Sequence, residues 1–250
     1  CGHTPRPPPP PPRGLFVFCH GFTSGKDRST PSLYAQIALK NRLTSLRFDT
    51  THSSEGGGSD GLPELATITS FLEDLEDVIA WAMQQEWYQE PFILGGSSLG
   101  GIAALEYTHR FPSRIKALAP VSTVVSGKLS LEAHQRYKPD KLKEWQTTGF
   151  HPMENATRPD GFMYVPWSHM EDRQSYDALS YAAEINIPTF QVVGSKDQSC
   201  PPDHQKMLYD ALGTKDKELH IIEGSPHTIG DQIHQAEVKS HFDAWLKKII

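Results

Sequence analysis

The sequence predicts an α/β architecture: a mostly parallel, twisted sheet with helices on both faces and an inserted cap. From Leu15 onward, short apolar runs alternate with amphipathic stretches, which is the pattern of βαβ units. The clearest amphipathic stretch follows Thr67. There Ile68, Phe71, Leu72, Leu75, Val78, Ile79 and Ala82 recur at three- and four-residue steps, with Glu73, Asp74, Glu76 and Asp77 on other faces. A chain of 250 residues can also bury one such sheet between helices as a single domain.

Taken in order, residues 1–13 read as a proline-rich tail. The run Pro7 to Pro12 has no backbone donors and a fixed φ, so it favours a stiff polyproline II segment, a linker in preference to an SH3-type ligand. The domain follows over 14–250. Strands are predicted at Leu15 to Cys19, Ser45 to Phe48, Phe92 to Leu94, Ile115 to Ala119, Thr189 to Val193 and Glu218 to Ile222. Besides the helix after Thr67, helices are predicted at Leu33 to Asn41, Leu99 to Arg110 (stopped by Pro112), His204 to Leu212 and Gln235 to Lys248. Between about 126 and 183 the alternation breaks down. Trp145, Phe150, Phe162, Tyr164 and Trp167 are scattered among Pro, Gly and charged residues, and this stretch is read as the cap.

Composition narrows the function. Hydrophobic residues at 37% and charged residues at 22% describe an ordinary soluble globular chain, and no apolar run approaches the roughly eighteen residues of a membrane span. A formal charge of −6 argues against nucleic acid as a partner, because phosphate binding needs clustered Lys and Arg. Three cysteines cannot build a disulfide framework. Cys19 falls in a buried strand, and no Cys1 to Cys200 bridge is expected. The start has neither an initiating Met nor the apolar core of a signal peptide, so the chain reads as processed or as a fragment, with a cytoplasmic compartment inferred.

The chemistry centres on Gly96-Ser97-Ser98-Leu99-Gly100, a G-x-S-x-G placed between a predicted strand and a predicted helix, the arrangement of a nucleophile elbow. The pentapeptide alone is weak: Gly57-Gly58-Ser59-Asp60-Gly61 matches it too, but in a glycine-rich loop just before Pro63, with no strand-turn-helix context. Choosing Ser97 would put a leucine at an outer position of the turn, so Ser98 is the candidate nucleophile. His227, in the loop Gly224-Ser225-Pro226-His227 after a strand, is the candidate base. Asp197, past another strand through Gly194-Ser195-Lys196, is the candidate orienting acid, with Asp203 as fallback. The Leu99 amide, at the positive end of the following helix, and the Phe22 amide, in the turn Cys19-His20-Gly21-Phe22, are the candidate oxyanion donors. His20 is expected to hold that turn by hydrogen bonds. His220 lies in a strand and His234 and His241 in the last helix, while His169, Glu171 and Asp172 are read as a solvated cap turn without metal-ligand spacing.

The order Ser98, Asp197, His227 is that of the α/β-hydrolases. From about Gly14 onward the chain resembles that superfamily, and within it the small cinnamoyl or feruloyl esterases and the serine aminopeptidase-like group. The likeness rests on His20-Gly21-Phe22, on Arg47-Phe48-Asp49 leading into the loop Gly56 to Gly61, on the elbow, and on the two loops carrying Asp197 and His227. The resemblance implies a small-molecule carboxylic ester substrate cleaved through an acyl-enzyme, an acyl pocket shaped by the cap, and neither metal nor organic cofactor. It also implies structural roles for Asp49 and Arg47. Two features depart from the family pattern: Thr50-Thr51-His52-Ser53-Ser54 follows Asp49, and few residues precede the first strand. A peptidase or thioesterase would use the same residues, and a non-catalytic binding protein would keep the fold. The oligomeric state stays open.

Overall fold

The computed structural model describes residues 11–53 and 58–250; residues 1–10, with Cys1 and most of the proline run, and 54–57, with Gly56 and Gly57, lie outside the described residues. The chain forms β1 (Leu15–Cys19), α1 (Ser29–Lys40), β2 (Thr44–Arg47), α2 (Ile68–Ala82), β3 (Phe92–Ser97), α3 (Leu99–Arg110) and β4 (Ile115–Val121). An insertion then supplies α4 (Gly127–Tyr137), α5 (Pro139–Thr148), β5 (Phe150–Glu154), β6 (Phe162–Pro166) and α6 (Ser168–Gln174). The sheet resumes with β7 (Thr189–Gly194), α7 (Pro202–Ala211), β8 (Lys217–Ile222) and α8 (Gln232–Ile249).

The sheet order is β2-β1-β3-β4-β7-β8, and every pairing in it is parallel. Side-chain alternation on β1 shows why both faces need helices. Leu15, Val17 and Cys19 pack with α2 and α3 on one face, whereas Phe16 and Phe18 pack with Tyr34 and Ile37 of α1 and Phe242 and Trp245 of α8 on the other. Helix α2 starts as its sequence dictates: the Thr67 hydroxyl accepts from the Ser70 amide and the Ser70 hydroxyl accepts from the Thr67 amide, closing a capping box.

Some predicted boundaries shift for identifiable reasons. Helix α1 begins four residues before Leu33, because Pro31 sits in a first turn whose amides have no intrahelical partner anyway. Strand β3 runs past Leu94 to Ser97, since Gly95 and Gly96 carry the strand geometry without the apolar side chains that signal it.

The insertion is more regular than its sequence indicates. β5 and β6 form an antiparallel ribbon, and Trp145, Met163, Val165 and Met170 make a small separate core. The expectation of a solvated turn at His169 to Asp172 is corrected: these residues belong to α6, His169 is buried, and Asp172 accepts from the Ile68 and Thr69 amides at the start of α2. A carboxylate on orphan helix amides stabilises that end by about 1 kcal/mol, and here it ties the insertion to the sheet's helical layer.

The topology fixes where a ligand can sit. The chain leaves β1 for β2 on one side and returns to β3 on the other, so the connections after β1 and β3 diverge. They leave a crevice at the carboxyl ends of these strands.

Candidate active site

Ser98 occupies the single position between β3 and α3, with φ 53° and ψ −114°. A non-glycine residue held there stores on the order of 1–3 kcal/mol of backbone strain. The surroundings show why the flanking residues are glycines. A Cβ on Gly96 would overlap the Gly100 carbonyl, and a Cβ on Gly100 would overlap the carbonyls of Cys19 and His20 at the end of β1. The turn is further fixed through the Ser98 backbone, whose amide donates to Val121 O at 3.0 Å while its carbonyl accepts from Gly101 N and Val124 N.

His227 and Asp197 arrive from the loops after β8 and β7. His227 Nδ1 lies 2.8 Å from Asp197 Oδ2, and His227 Nε2 lies 3.2 Å from Ser98 Oγ. Asp197 is buried, and its other oxygen accepts from the amides of Ser199 (2.9 Å) and Cys200 (2.8 Å). Burial pushes its carboxyl up, but the hydrogen bond and charge of His227 and the two amides outweigh burial and hold it below the usual carboxylate range. A carboxylate only accepts, so His227 Nδ1 carries the proton and Nε2 is left to accept from Ser98. The two loops are also bonded to each other, Lys196 N to Ser225 O at 2.9 Å and Gly224 N to Ser195 Oγ at 2.8 Å.

Phe22 and Leu99, the sequence-predicted oxyanion donors, both line the cavity that Ser98 faces. The loop bearing Phe22 packs directly on the elbow, since a Cβ at Gly21 would lie 3.1 Å from Ser98 Cβ. His20 holds this loop: its Nδ1 donates to Gly21 O at 2.8 Å and its Nε2 accepts from Thr50 N at 3.2 Å. Asp49 accepts from the amides of Lys26 (2.7 Å) and Gly58 (3.0 Å) and from Lys26 Nζ. Burial raises its carboxyl, but these donors prevail and lower it to about 2. Arg47 faces Asp27 at 3.4 Å. Of the competitors, Ser59 donates to Asp49 O in a loop and Asp203 pairs with Arg136 at 2.7 Å, so neither joins Ser98. Ser97 is the last residue of β3.

Two cavities flank Ser98. One, of about 440 Å³, is lined by Thr23, Ser24, Ser29, Thr30 and Ser122 and reaches Arg28 at the mouth of α1. The other, of about 210 Å³, lies under the insertion and is walled by Val124, Trp145, Met153 and Val165 together with His134, His169 and Arg173. Cys200, a buried free thiol, closes this cavity beside Ser98. Sequence reading missed these cap polar groups. The i, i+4 spacing of His169 and Arg173 on one helix face was the available signal, hidden by the charged Glu171 and Asp172 between them.

The model of the prolyl oligopeptidase family matches residues 68–250, and the chain belongs to that family. It is 25% identical over 235 residues to an uncharacterized 31.7 kDa Escherichia coli protein of the traX-finO intergenic region, covering 82% of this chain and 80% of that one. It is 24% identical over 216 residues to the mitochondrial palmitoyl-protein thioesterase ABHD10 of Bos taurus, covering 86% and 67%. In three dimensions it is similar to Est1E from Butyrivibrio proteoclasticus with ferulic acid bound, at a TM-score of 0.76 and 18% identity over 96% of this chain and 90% of that one. The shared architecture is the α/β-hydrolase fold.

Proposed function

We propose that this member of the prolyl oligopeptidase family is a serine hydrolase that cleaves small carboxylic esters through an acyl-enzyme on Ser98. The observation that carries the reading is the relay from Ser98 Oγ through His227 to buried Asp197, at 3.2 and 2.8 Å. In this reading Ser98 Oγ attacks the ester carbonyl as His227 Nε2 takes its proton. Asp197 stabilises the imidazolium that forms, and the Phe22 and Leu99 amides hold the oxyanion. His227 then returns the proton to the leaving alcohol, and water repeats the sequence on the acyl-enzyme.

The cavities support a division of the substrate. The hydroxyl-lined one suits a polar leaving group, and the cap cavity suits the acyl part. At about 210 Å³ it is small beside the roughly 300–1,000 Å³ of sites for drug-sized ligands, which favours a short or single-ring acyl group. Thioesters are the second reading, because the Bos taurus relative is a thioesterase by name.

A fluorophosphonate probe is expected to label Ser98, with Ser98→Ala losing the label while keeping its circular dichroism spectrum. Labelling that persists in the variant defeats the assignment. Turnover of matched p-nitrophenyl esters, acyl thioesters and aminoacyl amides then ranks the leaving groups, with esters expected fastest.

A further inference from the structure

The cap cavity is walled by a buried arginine that has no ion-pair partner among the described residues. Arg173 is buried in its wall and keeps its charge, because a guanidinium does not give up its proton in proteins. Its Nη1 donates to Ser130 Oγ at 3.1 Å and its Nη2 to His169 Nε2 at 2.7 Å. His169 answers as a neutral acceptor, since its Nδ1 already donates to Ala66 O at 2.6 Å. Both partners of Arg173 are therefore uncharged. The neighbouring Asp172 hydrogen-bonds the start of α2 and reaches Arg173 only through its charge, and no ion pair to Arg173 is formed among the described residues. Among the described residues no Asp or Glu lines the cavity, whereas Lys138 stands at its wall with Arg173.

The hydrogen-bond inventory leans the same way. Arg173 Nε and Trp145 Nε1 are buried without a partner, and each can only donate. His151 Nδ1 on the same wall is also unpartnered. A buried unpaired donor costs on the order of 1–3 kcal/mol and a buried unpaired charge several more, so an acceptor that reached these groups from the cavity they border would relieve both costs.

We propose that the cap cavity is a carboxylate-recognition subsite, selecting acyl groups whose far end carries a carboxylate, as in monoesters of short dicarboxylic acids. The carboxylate would accept from Arg173 and Trp145 while the methylenes lie against Val124, Met153 and Val165, leaving the ester carbonyl at Ser98. This rests on the acyl-transfer reading of Ser98 and adds the substrate's charge to it.

The test compares p-nitrophenyl hydrogen adipate with p-nitrophenyl hexanoate, two acyl chains of equal length that differ in terminal charge. The wild-type ratio of kcat/KM is expected to favour the adipate ester at least tenfold. In Arg173→Met the ratio is expected to fall to one or below, and in Arg173→Lys most of it should return. A purely structural role would lower both substrates together and leave the ratio, which would overturn the proposal, as would a wild-type ratio of one or less.

Should Arg173→Met fail to fold, inhibition of wild-type hexanoate-ester hydrolysis by free adipate against neutral adipamide gives the same comparison. A tenfold tighter effect of adipate is expected, and equal effects overturn the subsite. If neither ester is turned over, the Ser98 reading fails by itself. Calorimetry of adipate and adipamide on Ser98→Ala then still decides the subsite, with tighter adipate supporting it and equal or absent binding overturning it.

Discussion

At the rim of the sheet, buried Asp197 has three donors for its two oxygens, from His227, Ser199 and Cys200, whereas under the cap Arg173 and Trp145 keep donors with no acceptor. The contrast separates two kinds of polar site. One is satisfied within the chain, so its geometry is set before any ligand arrives. The other is completed only by what binds. Strain is partitioned the same way: Ser98 is held at positive φ by a turn whose backbone groups are bonded on both sides.

The largest effect that would break this contrast is at the satisfied site. Asp197→Asn keeps the shape but changes which imidazole nitrogen carries the proton, and kcat is expected to fall by about 10³- to 10⁴-fold, read by steady-state turnover of a p-nitrophenyl ester. A loss of tenfold or less would mean that the carboxylate does not orient His227.

Next comes the scaffold beneath it. Gly100→Ala drives a methyl group into the carbonyls of Cys19 and His20, backbone atoms that cannot swing aside, and is expected to lower stability by about 3 kcal/mol in urea unfolding. It should also depress activity in the folded fraction, because those carbonyls belong to the strand end that carries Phe22. Wild-type stability in the variant would mean that α3 and β1 are free to move apart.

The smallest effect sharpens the contrast from the cap side. Burial, with the charge of Arg173 adding to it, lowers His169 to about 3, and burial lowers His134 to about 4. Unfolded, both bind protons below about 6.5; folded, they do not until well under pH 5. In that window the unfolded state holds more protons, so stability falls as the solution is acidified from pH 6.5, by up to about 1.4 kcal/mol per pH unit for each histidine. Asp197 and Asp49, held below the usual carboxylate range, also favour the folded state but lose that contribution only under about pH 4. Urea midpoints between pH 7 and 5 therefore report the histidines, and His169→Gln is expected to flatten the slope. An unchanged slope in that variant would show that His169 does not contribute to the acid response.

How much of this was legible in the sequence follows from how local each signal is. The strands of the sheet and helix α2 are written in apolar periodicity, and α3 follows a glycine turn and ends before Pro112, so their positions follow from residues a few places apart. The elbow is equally local. Asp197 and His227 were located because each follows a strand, although only the folded sheet brings their loops together. The cap resisted because its order is not periodic: Trp145, Met163 and Met170 meet across three elements to form a core too small to leave a pattern. Asp172 and His169 were misread for the same reason, since their partners, the Ile68 amide and the Ala66 carbonyl, lie about a hundred residues away.

The bonds joining the Asp197 loop to the His227 loop have an engineering corollary. Asp197 and His227 ride on one bracket, so thermal drift of either loop carries the other along and preserves the 2.8 Å contact between them. Anyone transplanting this apparatus, or shortening the connections after β7 and β8, has to move both arms as a single module.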